Sequence, residues 1–106
     1  METILKNSAV KEEILPGVFK TPKVKTPALE VLELEIAPGH RLEAHDMPCF
    51  VTFFVIEGTG TFTYGGEVVT VHAGDMVRAN TGHPRFWANL AKDTLRLLVV
   101  KSLGEK

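Results

Sequence analysis

Residues 50–82, FVTFFVIEGTGTFTYGGEVVTVHAGDMVRANTG, hold four short apolar runs cut apart by glycine turns. The runs are Phe50–Ile56, Gly60–Tyr64, Glu67–Val71 and Asp75–Ala79, and the cuts fall at Gly58, Gly65-Gly66, Ala73-Gly74-Asp75 and Thr81-Gly82. Many short strands with regularly placed glycine turns predict an all-β sandwich or barrel. Tyr64-Gly65-Gly66-Glu67 predicts a tight hairpin, because paired glycines supply the positive φ angles of the favoured two-residue turns, so the flanking strands pair antiparallel.

The same pattern extends outward on both sides. Leu29, Val31, Leu32, Leu34 and Ile36 stand in near alternation with Glu30, Glu33 and Glu35, the mark of a half-buried strand, and Pro38-Gly39 ends it. Further strands are expected at Arg41–Met47, Phe86–Leu90 and Leu95–Val100. Residues 1–27 read as an N-terminal arm with one or two short strands, and Lys20, Lys23 and Lys25, interrupted by Pro22 and Pro27, read as a solvated loop. With no internal repeat and no convincing amphipathic helix, the expectation is one domain over 1–106, its barrel at 28–103.

The composition, 44% hydrophobic and 24% charged in 106 residues, is that of an ordinary globular chain. A formal charge of −1 provides no global field for a polyanion, so neither nucleic acid nor an anionic membrane is an expected partner. The single cysteine, Cys49, forbids an intramolecular disulfide and points to a reducing compartment. Met1–Val10 lacks the apolar run of a signal peptide and no stretch reaches transmembrane length, so the expected location is cytoplasmic. A domain of this size hides only roughly two-thirds of its unfolded surface. Outward apolar residues such as Phe54 and Ile56 therefore predict a homodimer with sheets packed face to face.

Two segments resemble the paired motifs of the cupin superfamily. In Pro38–Gly60, PGHRLEAHDMPCFVTFFVIEGTG, residues Gly39, His45 and Gly58 fall on the spacing of the first motif. In Gly66–Asn89, GEVVTVHAGDMVRANTGHPRFWAN, residues Gly66, Gly74-Asp75, Gly82 and Asn89 match the second. The resemblance implies a small antiparallel jelly-roll barrel, a double-stranded β-helix. It also implies a divalent metal held inside by two histidines and a glutamate of the first motif and a histidine of the second. Of those four positions only His45 is kept; the others are Met47, Val51 and Arg85, and His72 replaces the proline of the second motif's turn.

Residues two apart on a strand share a face. If His45 points inward, so do Glu43, Met47 and Cys49; Val51, Phe53 and Val55 follow on the next strand, and Arg85, Trp87 and Asn89 on the motif-two strand. The expected cavity is mainly apolar, with His45, Arg85 and Glu43 as polar handles, and Glu43, His45, Met47, Val51, Phe53, Arg85 and Trp87 are the expected ligand-binding residues. Valine and arginine supply neither a lone pair nor a compatible charge for iron, manganese or zinc, so no cofactor is expected. His83, in the loop two residues before Arg85, is the candidate substitute for the missing histidine. His40 and His72 are expected to be exposed. Arg85 never deprotonates and needs an anion, either Glu43 or a ligand's carboxylate or phosphate.

Three functions follow. The first is a small-molecule-binding barrel with an arginine anion clamp, its ligand a small carboxylate or phosphorylated sugar. The second is a metal-free isomerase, epimerase or lyase with His45 as catalytic base and Arg85 holding the substrate. The third is a metalloenzyme whose divalent transition metal is held by His45 with His83, Glu43 or Cys49.

Overall fold

The computed structural model describes residues 1–6, 8–44, 49–80 and 83–104. Among them the chain forms ten strands and no helix: β1 (Glu12–Leu15), β2 (Val18–Lys25), β3 (Leu29–Ile36), β4 (Arg41–Ala44), β5 (Phe50–Glu57), β6 (Thr59–Tyr64), β7 (Glu67–His72), β8 (Met76–Ala79), β9 (Arg85–Ala88) and β10 (Leu95–Ser102). They pair antiparallel in two sheets, one ordered β1-β2-β3-β10-β5-β8 and the other β4-β9-β6-β7. The fold is an all-β jelly roll. The expected closure into one barrel is not made by hydrogen bonds: each sheet keeps its own ladder, and the two are joined by the side chains packed between them.

Alternation decides what those side chains are. On β3, Leu32, Leu34 and Ile36 are buried while Glu33 and Glu35 face out. Leu95, Leu97 and Val99 of β10 and Val51, Phe53 and Val55 of β5 continue that apolar layer, and Phe62, Val71 and Trp87 answer it from the smaller sheet. Phe53, Phe62 and Trp87 form its aromatic centre, with ring centroids 4.7–5.5 Å apart in tilted and edge-on contacts. Gly60 lets the Trp87 ring in: a Cβ there would lie 2.7 Å from Leu95 Cδ2 and 2.8 Å from Trp87 Cζ3. The expected hairpin stands at Gly65-Gly66, with φ of 55° and 89°.

The Lys/Pro-rich stretch is a strand and not a solvated loop. Strand β2 pairs with β3 along its length and contributes Val18, fully buried, so the sheet runs through the boundary expected near residue 28. Pro22 is accommodated because the β2–β3 register shifts between Pro22 and Val24, and because β1 pairs with β2 only as far as Lys20. The alternation was hidden by lysines, whose long stems follow a strand's apolar side while their ammonium groups reach water. On the outer face Arg96 hydrogen-bonds Glu33 at 2.6 Å and Glu57 at 3.2 Å, and the Glu33 bond holds the guanidinium above its ordinary pKa. Phe54, half-buried, and Ile56, exposed, also lie on this face.

Candidate functional site

Toward one end of the sandwich the sheets enclose a cavity of about 190 Å³. Its walls are hydrocarbon: Leu32, Leu34, Val51, Phe53 and Val99 from the larger sheet, Leu42 from the smaller. Water occupies roughly 30 Å³ per molecule, so the space is that of a handful of waters, too little for a nucleotide or an oligosaccharide. At the other end the sandwich is fastened by Asn89, which is fully buried. Its Nδ2 donates to the Ile36 and Asp93 carbonyls, both at 2.8 Å, and its Oδ1 accepts from the Ala91 N–H at 3.0 Å.

Arg85 enters the cavity because β9 alternates strictly, Arg85 and Trp87 buried and Phe86 and Ala88 half-buried. The arginine is 2% exposed. Its Nη1 donates to the Asn80 carbonyl at 3.2 Å, while Nε and Nη2 are buried with no hydrogen-bond partner among the described residues. These two nitrogens form one edge of the guanidinium, the edge that grips a carboxylate or phosphate through two parallel bonds. A buried guanidinium edge with no acceptor costs free energy that the fold alone does not return.

Glu43 does not provide that acceptor. In the β4–β9 register Leu42 stands opposite Trp87 and Glu43 opposite Phe86, so it is Leu42 that shares the inward face. Glu43 pairs with Arg41 at 3.2 Å, and that guanidinium also lies over the Phe86 ring, 4.3 Å from its centroid. The carboxylate reaches the cavity only at its rim, and the expected inward phase of Glu43 is corrected by one residue.

Val51, Phe53 and Arg85 come together as expected. Trp87, 0% exposed, is packed into the aromatic centre behind Phe53 and does not reach the cavity wall. His45 and Met47 lie outside the described residues. His40 and His72 are exposed, as expected. His83 is exposed too, edge-on to the Tyr64 ring at 5.2 Å, and is not on the cavity wall. Cys49 is buried.

Two lysines at the cavity were not expected from the sequence, where Lys20 reads as part of a solvated loop and Lys101 is not singled out. Lys20 and Lys101 both line the cavity, each on a strand whose buried stripe runs into it: Val18 then Lys20 on β2, and Leu95, Leu97, Val99 then Lys101 on β10. Extending the apolar alternation by one step would have found them. Lys101 is paired with Glu30 at 3.4 Å.

Val51 and Arg85 stand where the resemblance places a glutamate and a histidine ligand, and both line the cavity. A hydrocarbon and a fixed cation do not fit a divalent metal. Among the described residues no three His, Cys, Asp or Glu side chains gather into a metal-holding group. Among the described residues no helix is long and apolar enough to cross a membrane.

A family model described as a cupin domain matches residues 32–101, from within β3 to near the end of β10. No curated protein matches the chain in sequence. Among solved structures, a predicted oxalate decarboxylase from Thermotoga maritima superposes with a TM-score of 0.87 at 18% identity, covering 96% of this chain and 99% of that one. KdgF from Halomonas sp. gives 0.84 at 16%, covering 96% and 94%. The cupin domain of an XRE family transcriptional regulator from Enterobacter cloacae gives 0.73 at 19%, covering 80% and 95%. At these identities the likeness is one of fold, and the three proteins carry different descriptions on it.

Proposed function

The chain belongs to the cupin family, and from that premise we propose that it is a small-molecule-binding barrel that works without the family's usual divalent metal, with Arg85 as its anion clamp. One observation carries the reading: the Nε and Nη2 edge of Arg85 is buried in an apolar cavity with nothing among the described residues to accept its hydrogen bonds. An ion that cannot discharge by losing its proton is stabilised there only by an incoming anion. The ligand is a small carboxylate or phosphorylated compound whose acid group meets that edge and whose body lies against Leu32, Leu34, Val51, Phe53 and Val99. Val51 and Arg85, in place of two donors, support the metal-free reading.

The test is calorimetric titration of small carboxylates and phosphorylated sugars into purified protein whose metal content has been measured by elemental mass spectrometry. The expected result is stoichiometric binding to metal-free protein, lost in Arg85→Met. A stoichiometric divalent metal, or binding that survives Arg85→Met, would overturn the proposal. Turnover abolished by His45→Ala while affinity persists would replace it with the enzymatic reading.

A further inference from the structure

The cavity holds more positive charge than one acid group can answer. Among the described residues three cations line it, Lys20, Arg85 and Lys101, with one carboxylate, Glu43, at the rim. Glu43 is engaged by Arg41 and Lys101 by Glu30. Lys20 is half-buried on β2, and among the described residues no carboxylate lies within ion-pair distance of it, not even Glu12, its register partner on β1. Two cations with no carboxylate partner among the described residues therefore face the cavity from opposite sheets, buried Arg85 from β9 and half-buried Lys20 from β2. A ligand with negative charge at both ends would answer the desolvated guanidinium and the lysine together.

Resting on the reading of Arg85 as the anion clamp, we infer that the ligand is a two-ended acid: one carboxylate on the Nε and Nη2 edge of Arg85, a second acidic group at Lys20, and a short apolar chain between them. The walls decide the middle. Leu32, Leu34, Val51, Phe53 and Val99 offer nothing to hydroxyl groups, which would lose their water without replacement. This favours a methylene chain over a sugar ring. Facing sheets stand about 10 Å apart, and side chains reaching inward narrow that gap, so the chain between the two acid groups is short.

The experiment compares succinate, glutarate, adipate and suberate with butyrate, valerate and hexanoate by calorimetry, with glucose 6-phosphate as a further probe, on the full chain. The best diacid is expected to bind about tenfold more tightly than the monoacid of equal carbon number, the worth of one added charge-assisted hydrogen bond. In Lys20→Met, which keeps the stem but not the charge, the diacid-to-monoacid ratio is expected to collapse toward one. In Lys20→Arg it is expected to be retained.

Monoacids binding wild type as tightly as diacids would overturn the inference while leaving the clamp in place. So would a ratio unchanged in Lys20→Met, or tighter binding of glucose 6-phosphate than of any diacid. If no acid of either class binds wild type, the clamp reading and the inference both fall.

Discussion

Tyr64 and Arg85 stand directly opposite each other in the β6–β9 register and share one acceptor, the Asn80 carbonyl, at 3.3 Å from the phenol oxygen and 3.2 Å from Nη1. This contact holds one side of the guanidinium and leaves the Nε and Nη2 side for the cavity. A side chain fixed before its partner arrives loses less conformational entropy on binding.

Arg85→Met is accordingly expected to stabilise the ligand-free protein, by about 1–4 kcal/mol, since replacing a buried charge with a hydrocarbon of similar volume is commonly neutral or favourable. The same substitution removes acid binding. Urea denaturation without ligand measures the first effect and calorimetry the second. A protein that loses stability by several kcal/mol would show that Arg85 serves the fold.

Tyr64→Phe keeps the ring against Phe62, which it stacks on at 6.3 Å, and deletes the hydroxyl. The bond to Asn80 is long and solvent-accessible, so the stability cost should be about 0.5 kcal/mol, at the low end for a single hydrogen bond. Acid affinity should fall a few fold because Arg85 loses the neighbour that shares its anchor. Paired denaturation and binding curves test whether affinity moves further than stability.

Removing the Asn89 amide should be among the costliest single changes in the protein. Asn89→Ala strands two carbonyls and one N–H in a buried position and is expected to cost about 3 kcal/mol or more. Asn89→Asp cannot donate to the Ile36 and Asp93 carbonyls and should do no better. Thermal melts of both variants provide the comparison.

Gly60→Ala is expected to cost about 1–3 kcal/mol by overpacking, because the added methyl meets the Trp87 ring and the Leu95 side chain inside normal contact distance. Near-ultraviolet circular dichroism should show a changed Trp87 environment even where the protein remains folded.

The strands from β5 to β8 were legible because glycine turns bracket them and β-branched and aromatic residues fill them. Val51, Phe53 and Arg85 were placed on the cavity by alternation counted from the positions that the cupin resemblance sets inside the barrel. The phase of β4 was not, because it was counted backward from His45, and one residue of slippage exchanges Leu42 for Glu43. Strand β2 was obscured by Pro22 and by lysines that suggest a loop until their register is known. Trp87 was placed on the correct face, but a period of two says which way a side chain points and does not tell a core tryptophan from one on the cavity wall.

The Asn89 knot lies at the Ile36, Asn89 and Leu95 end of the sandwich, whereas the cavity lies at the Leu32, Arg85 and Lys101 end. The molecule thus separates what it must keep from what it can vary. Replacements at positions 32, 51 and 99 that stay apolar and keep the total volume, combined with changes at 85 and 101, should leave the protein folded, because the fastening at the far end does not depend on them. An evolving lineage, or an engineer, could retune the recognised acid without first rebuilding the scaffold.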